Sequence, residues 1–281
     1  VLVNYNLVNN TLISKLNNLE NFIANYSSAI IAYSGGIDSS LVAKVSNDTL
    51  GRKNCLVVIA VSPSLNKKEY DLAKDLAIKN NWNHKQIFTN EFQNENYLKN
   101  DLNRCFYCKY ELYENLENIM NIENYDVIFN GTNHDDLRDF RPGLDAARKK
   151  NIESPLLKCK ITKDEVRKIS KEIGLPNWDK PAQPCLSSRV PYGVKISMGK
   201  LNKIEKSENY LSDLGFSNFR VRMYGDLAKI EVSEKDFNKF NDYIIREKII
   251  KNFNKFGFKF ISLDLSFFKS GNLNKSNENH E

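Results

Sequence analysis

At 281 residues the chain exceeds one average domain and falls short of two large ones, which predicts a main domain with a smaller second one. The 41% hydrophobic and 27% charged fractions are those of an ordinary globular protein, and no run approaches the ~20 apolar residues of a membrane span. The net charge of +6 suits an anionic ligand, yet it is spread along the chain as on a lysine-rich surface and singles out no nucleic-acid partner.

In chain order, Leu12, Ile13, Leu16, Leu19, Phe22 and Ile23 share one face of a helix predicted over residues 8–26. Short β-branched runs at 29–33, 56–61 and 127–129, with a weaker one at 84–88, are followed by polar turns and helical patterns. That is the signature of an α/β fold with a parallel sheet. Thr162 and Glu165 form a capping box that opens a helix running through Ile173, and Gly174 with Pro176 ends it. Pro176, Pro181, Pro184, Pro191 and Gly193 make the next stretch a loop, which sets a boundary between domains at 1–180 and 181–268. The second reads as a small α+β domain: a helix at 198–214, strands at 219–224 and 227–232, a further helix and a strand at 260–265. Residues 269–281, rich in Asn, Ser, Lys and Glu, have nothing to bury and read as a mobile tail. No basic patch and apolar run open the chain, so neither leader nor anchor is expected and the cytoplasm follows.

The sequence Ser34-Gly35-Gly36-Ile37-Asp38-Ser39-Ser40 follows the first strand directly and opens a helix. Two glycines let the backbone turn its N–H groups toward phosphate oxygens, and the helix N-terminus adds the positive end of a dipole. The three serines offer hydroxyl donors, and Asp38 suits a magnesium ion. The GKS/T ending of a Walker A loop is missing. This run resembles the PP-loop of the ATP pyrophosphatases, which cleave ATP to AMP and pyrophosphate while activating a substrate. Gly131-Thr132-Asn133, followed by Asp135, Asp136 and Arg141-Pro142-Gly143, comes after the strand at 127–129, at the edge where open α/β sheets bind ligands.

Further motifs resemble one branch, the LarE family: Trp178 to Ala182, Pro184 to Arg189, Pro191-Tyr192-Gly193, Arg220-Val221-Arg222 and Gly225 to Ala228. The resemblance covers roughly residues 10–265. It implies an ATP-dependent sulfur transferase of nickel-pincer nucleotide synthesis, the cofactor of lactate racemase. Such an enzyme adenylates a carboxylate of pyridinium-3,5-biscarboxylic acid mononucleotide and converts it to a thiocarboxylate. It also implies a homo-oligomer, since hexamers are known in the family, and a source of sulfide.

Five cysteines, odd in number and sparse, argue against a disulfide framework. Cys105 and Cys108 form a C-x-x-C pair, and Cys185 lies far along the chain. Two thiols at this spacing can clamp one metal centre that a third closes; a redox pair is the rival reading. In some LarE members a cysteine matching Cys185 is itself the sulfur donor and is consumed. Others add a C-x-x-C pair and hold a 4Fe-4S cluster on three cysteines, and the resemblance places this chain with them. Cys55 reads as a buried hydrophobe, and Cys159 stays unassigned.

Arg220 and Arg222 stand two apart on a strand, which aims both guanidiniums to one side about 6.6 Å apart. They read as a grip on a phosphate or carboxylate, or else as an exposed charged face. By resemblance, Ser188 and Arg189 lie near the substrate beside Cys185. Glu208 and Glu231 read as metal or substrate groups, or as surface carboxylates. Trp178 reads as a ring-stacking or a packing residue. A tRNA-thiolating PP-loop enzyme is the rival function; it would carry a basic, aromatic RNA surface that the sequence does not add.

Overall fold

The computed structural model describes residues 10–138 and 142–269, so Arg141 and, but for Lys269, the tail read at 269–281 lie outside the described residues. The chain divides into two compact units: Val1–Tyr97 with Leu102–Gln183, and Leu98–Asp101 with Pro184–Glu281. Among the described residues no helix is long and apolar enough to cross a membrane.

In the first unit, strands β1 (Ala29–Tyr33), β2 (Cys55–Val61), β3 (His84–Phe88) and β4 (Val127–Phe129) form a wholly parallel sheet in the order β3-β2-β1-β4. The β-branched runs of β1, β2 and β4 are buried on both faces because helices cover both. Ile31, Val57, Ile59 and Phe129 pack into one core, and Ile30, Leu56, Val58 and Ile128 into another. The first core is covered by α1 (Asn10–Ile23), α2 (Ile37–Leu50) and α3 (Lys67–Lys79). After the short α4 (Glu95–Leu98), α5 (Arg104–Glu123) and α6 (Pro142–Lys149) cover the second. α7 (Pro155–Lys158) and α8 (Lys163–Glu172) return to the first. The Thr162–Glu165 capping box is present with both of its hydrogen bonds. β3 is an edge strand in which Lys85, Gln86 and Phe88 are exposed and His84 and Ile87 half-buried, which is why its apolar signal is weak.

The second unit is a three-stranded sheet, β5 (Phe219–Tyr224), β6 (Leu227–Val232) and β7 (Phe260–Leu263), in the order β5-β6-β7. β5 and β6 pair antiparallel, while β6 and β7 pair parallel. Helices α9 (Met198–Asp213), α10 (Glu234–Phe237) and α11 (Tyr243–Phe256) complete it. The last strand stops two residues short of the predicted end. Asp264 and Ser266 turn the chain there, with Ser266 N donating to Asp264 Oδ1 at 2.9 Å. Asn100, in the left-handed region at φ 57°, ties Leu98–Asp101 into this unit. Its Nδ2 donates to the carbonyls of Val190, Pro191 and Val194 at 3.2, 2.8 and 3.2 Å. Nothing in the sequence pattern separates this segment from the first domain.

Candidate active site

β1 ends at Tyr33 and the chain turns through Ser34-Gly35-Gly36 into α2, so the loop lies at the carboxyl edge of the parallel sheet. Gly35 has φ +72°, and a Cβ there would stand 2.5 Å from the Cβ of Ala73, so both conformation and space demand glycine. The predicted serines divide by role. Ser39 Oγ and Ser40 Oγ both donate to the Gly36 carbonyl, at 3.1 and 2.9 Å, and Ser34 N donates to Ser39 Oγ at 3.2 Å. Ser39 and Ser40 are buried and hold the loop's shape, whereas Ser34 is exposed. Asn177 braces the same turn, with Nδ2 donating to Gly35 O at 3.3 Å and to Ser40 Oγ at 2.9 Å.

Gly131 belongs to this site. A Cβ on it would lie 2.6 Å from Ser39 N and 2.9 Å from Ser39 Cα, so the segment after β4 runs directly against the first turn of α2. Thr132 N donates to Asn130 Oδ1 at 3.0 Å, which shapes that segment. Asn133 Nδ2 donates to Asp38 Oδ1 at 3.1 Å. The other oxygen of Asp38 pairs with Lys163 Nζ at 2.5 Å, and Lys163 N donates to Asp135 Oδ2 at 2.8 Å. Sequence reasoning missed Asn133, Lys163 and Asn177 as partners. A lysine in the first turn of a helix, against the dipole, is a signal that was present for Lys163.

Cys105 and Cys108 stand three residues apart in the first turns of α5, Cys105 exposed and Cys108 half-buried, so their side chains share one helix face. Cys55 is the buried hydrophobe expected: its thiol donates to Ser46 O at 3.1 Å, and burial pushes its pKa up to about 12. Cys159 packs against the core, and burial likewise raises its thiol. Trp178 also packs on that core, with Lys171 Nζ 4.8 Å over its ring.

The second unit gathers seven predicted residues. Cys185 caps a 3-10 turn, Leu186–Arg189, and its carbonyl accepts from Ser188 Oγ at 2.8 Å and Arg189 Nη1 at 3.0 Å. Arg189 grips Glu208 of α9 through Nε and Nη2, both at 2.9 Å. Glu208 Oε1 also accepts from Val221 N at 3.0 Å. Arg222 grips Glu231 through Nε at 2.8 Å and Nη2 at 3.1 Å, and donates from Nη1 to Ser188 O at 3.0 Å.

These five charged residues are 2–6% exposed, counting Arg220 at 4%. Neither the exposed arginine face nor the surface carboxylates survive as readings. Glu208 and Glu231 are the buried partners of Arg189 and Arg222. Arg220 Nη1 donates to Phe219 O at 2.6 Å, and its guanidinium lies 4.7 Å over the Phe268 ring. Burial, with repulsion from Arg189 and Arg222 exceeding the pull of Glu208 and Glu231, lowers its pKa to about 10, so it stays cationic at neutral pH. The three guanidiniums and two carboxylates thus form one buried cluster, joined to the Cys185 turn through Arg189.

Among the described residues no three of His, Cys, Asp and Glu gather as a metal site. The thiols of Cys105, Cys108 and Cys185 are nevertheless the right donors for an iron–sulfur centre, and none is fully buried.

Residues 12–101 match the NAD synthase family. Over 93% of the chain and 97% of the relative, the sequence is 45% identical to an uncharacterized protein of Synechocystis sp.. It is 34% identical to the pyridinium-3,5-bisthiocarboxylic acid mononucleotide synthase of Lactiplantibacillus plantarum, over 87% of the chain and 88% of that protein. An uncharacterized protein of Methanocaldococcus jannaschii is 36% identical over 92% and 97%.

Proposed function

Because the chain belongs to the LarE family of PP-loop sulfur transferases, the family of the Lactiplantibacillus plantarum synthase, we propose that it thiolates pyridinium-3,5-biscarboxylic acid mononucleotide at the expense of ATP. The observation that carries this reading beyond the family is the buried cluster of Arg189, Arg220 and Arg222 with Glu208 and Glu231, joined to Cys185 and Ser188. It suits a substrate that brings a phosphate and carboxylates.

The chemistry runs in two steps. A substrate carboxylate oxygen attacks the α-phosphorus of ATP, the bond to the β-phosphate bridging oxygen breaks, and pyrophosphate leaves from an acyl adenylate. The N–H groups of the Ser34–Gly36 turn and the N-terminus of α2 take up phosphate charge, with Asp38 as the magnesium ligand. A sulfur nucleophile then adds to the activated carbonyl, the carbon–oxygen bond to AMP breaks, and a thiocarboxylate remains. Cys105, Cys108 and Cys185 are the residues that would hold a 4Fe-4S cluster, and such a cluster when bound supplies sulfur at the sulfide level.

The test is AMP and pyrophosphate release measured with the pyridinium mononucleotide, with tRNA and with neither, alongside mass analysis of the products. Release that depends on the mononucleotide, with a mass gain of sulfur for oxygen, is expected. Release driven by tRNA alone would transfer the chain to the tRNA-thiolating reading.

A further inference from the structure

The edge of a β-sheet is a row of backbone N–H and C=O groups that need partners. On β5, one edge of the sheet in the second unit, Glu208 Oε1 accepts from Val221 N at 3.0 Å, and Arg222 Nη1 holds the turn Leu186–Arg189 beside the strand by donating to Ser188 O at 3.0 Å. β3, an edge of the first sheet, carries a charged residue, Lys85, which discourages further pairing.

β7 has neither device. It is the other edge of its sheet, and its residues Phe260-Ile261-Ser262-Leu263 include no charge and no proline. Phe260 N donates to Asp226 O at 3.2 Å and Asp264 N to Ile230 O at 2.8 Å, so the even-numbered positions turn their amides toward β6. By alternation Ile261 and Leu263 point their N–H and C=O groups away from the sheet, and among the described residues nothing bonds to them. The chain that follows does not cover this row. Past the turn at Asp264–Ser266 it comes back to β6, where Phe268 N donates to Val232 O at 2.8 Å. Apolar side chains flank the open row, Phe260 being 65% and Leu265 87% exposed.

The row is complementary to itself. When two β7 strands run antiparallel about Ser262, Ile261 of each stands opposite Leu263 of the partner subunit. Each such pair exchanges two hydrogen bonds, which uses every outward N–H and C=O of both strands. The half-buried Ile261 and Leu263 side chains then meet across the seam. The flanking charges are already satisfied within one chain, Lys259 by Asp226 at 2.7 Å and Asp264 by Lys229 at 2.6 Å, so no ion pair has to break.

We propose that β7 is a contact between two copies of this chain, joined about a two-fold axis at Ser262 into one sheet with three strands from each. The contact uses no part of the phosphate loop or the cysteines, and it stands or falls independently of the function proposed above.

The test is disulfide trapping in the full chain. Ser262 faces its own counterpart as a non-hydrogen-bonded pair with Cα atoms about 4.5 Å apart, within the span of a disulfide. Under mild oxidation Ser262→Cys should give a covalent dimer on a non-reducing gel at least about tenfold faster than Lys251→Cys, at an exposed position of α11, or than the unaltered chain with its five cysteines. Ile261→Pro removes an outward N–H and spares the ladder to β6, so adding it to Ser262→Cys should abolish the dimer while circular dichroism stays unchanged. Trapping of Ser262→Cys no faster than that of Lys251→Cys would overturn the proposal. So would trapping that survives Ile261→Pro, which would mark chance collision of an exposed thiol rather than strand pairing. Light scattering of the unaltered chain needs no variant: an even number of chains per assembly is expected, and a monomer or an odd number counts against the contact.

Discussion

Arg222 and Arg189 each commit two nitrogens to one carboxylate inside the second unit, and this changes how their variants should behave. Replacing Arg222 takes from Glu231, which is 2% exposed, its bidentate partner and leaves it Lys229 at 4.0 Å, so its loss reports on folding before it reports on binding. Glu231→Ala should likewise destabilise by about 3–5 kcal/mol, measured by urea unfolding, because it leaves a buried guanidinium without its carboxylate. Arg220 is the residue to vary for binding, since it is buried in the same cluster beside Arg189 and Arg222. Arg220→Gln should weaken the pyridinium mononucleotide about tenfold or more while ATP affinity holds, and equal loss for both would remove it from the substrate site. The residue types of this cluster were readable in the sequence, as were their places on a strand or helix. Their pairing was not: Arg189 and Glu208 are 19 positions apart, and only the packing of α9 against β5 sets Glu208 between Arg189 and the Val221 amide. Lys163 and Asp38, 125 positions apart, were hidden for the same reason.

Among the elements, the segment after β4 and the first turn of α2 are the pair on which the phosphate loop depends. Gly131 was readable as part of a loop motif at the sheet's carboxyl edge. Its reason was not, because the close approach is to a backbone 92 positions earlier that no local pattern encodes. Gly131→Ala puts a methyl group 2.6 Å from Ser39 N, and backbone cannot swing aside as a lysine tip can. The expected outcome is a folded chain with unchanged helix content whose ATP-analogue affinity falls by at least tenfold in calorimetry. Wild-type affinity would mean that the turn of α2 does not shape the nucleotide site. The central strands show the opposite case: β1 and β2 were readable as continuous β-branched runs because helices bury them on both faces. The edge strand β3 gave a weak signal because most of its residues are exposed and none is fully buried.

At the scale of the whole molecule the open matter is the origin of the sulfur, and it turns on three cysteines in a chain that otherwise uses two, both explained by packing. Cys105 and Cys108 lie in the first turns of α5, and Cys185 lies beside the buried arginine cluster of the second unit. If all three hold a 4Fe-4S cluster, exchanging any one for Ala should remove iron and sulfide from anaerobically reconstituted protein and stop thiolation. Substrate-dependent AMP formation should continue, because the phosphate loop contains none of them. Counting product with added sulfide separates this from consumption of the protein's own sulfur. Several thiocarboxylates per chain are expected. In the sacrificial case the Cβ–Sγ bond of Cys185 breaks, at most one thiocarboxylate forms per chain, and position 185 becomes dehydroalanine, lighter by hydrogen sulfide. Cys105→Ala and Cys108→Ala would then leave that single turnover intact, and this result, seen with full AMP formation, would reduce the C-x-x-C pair to an accessory of α5.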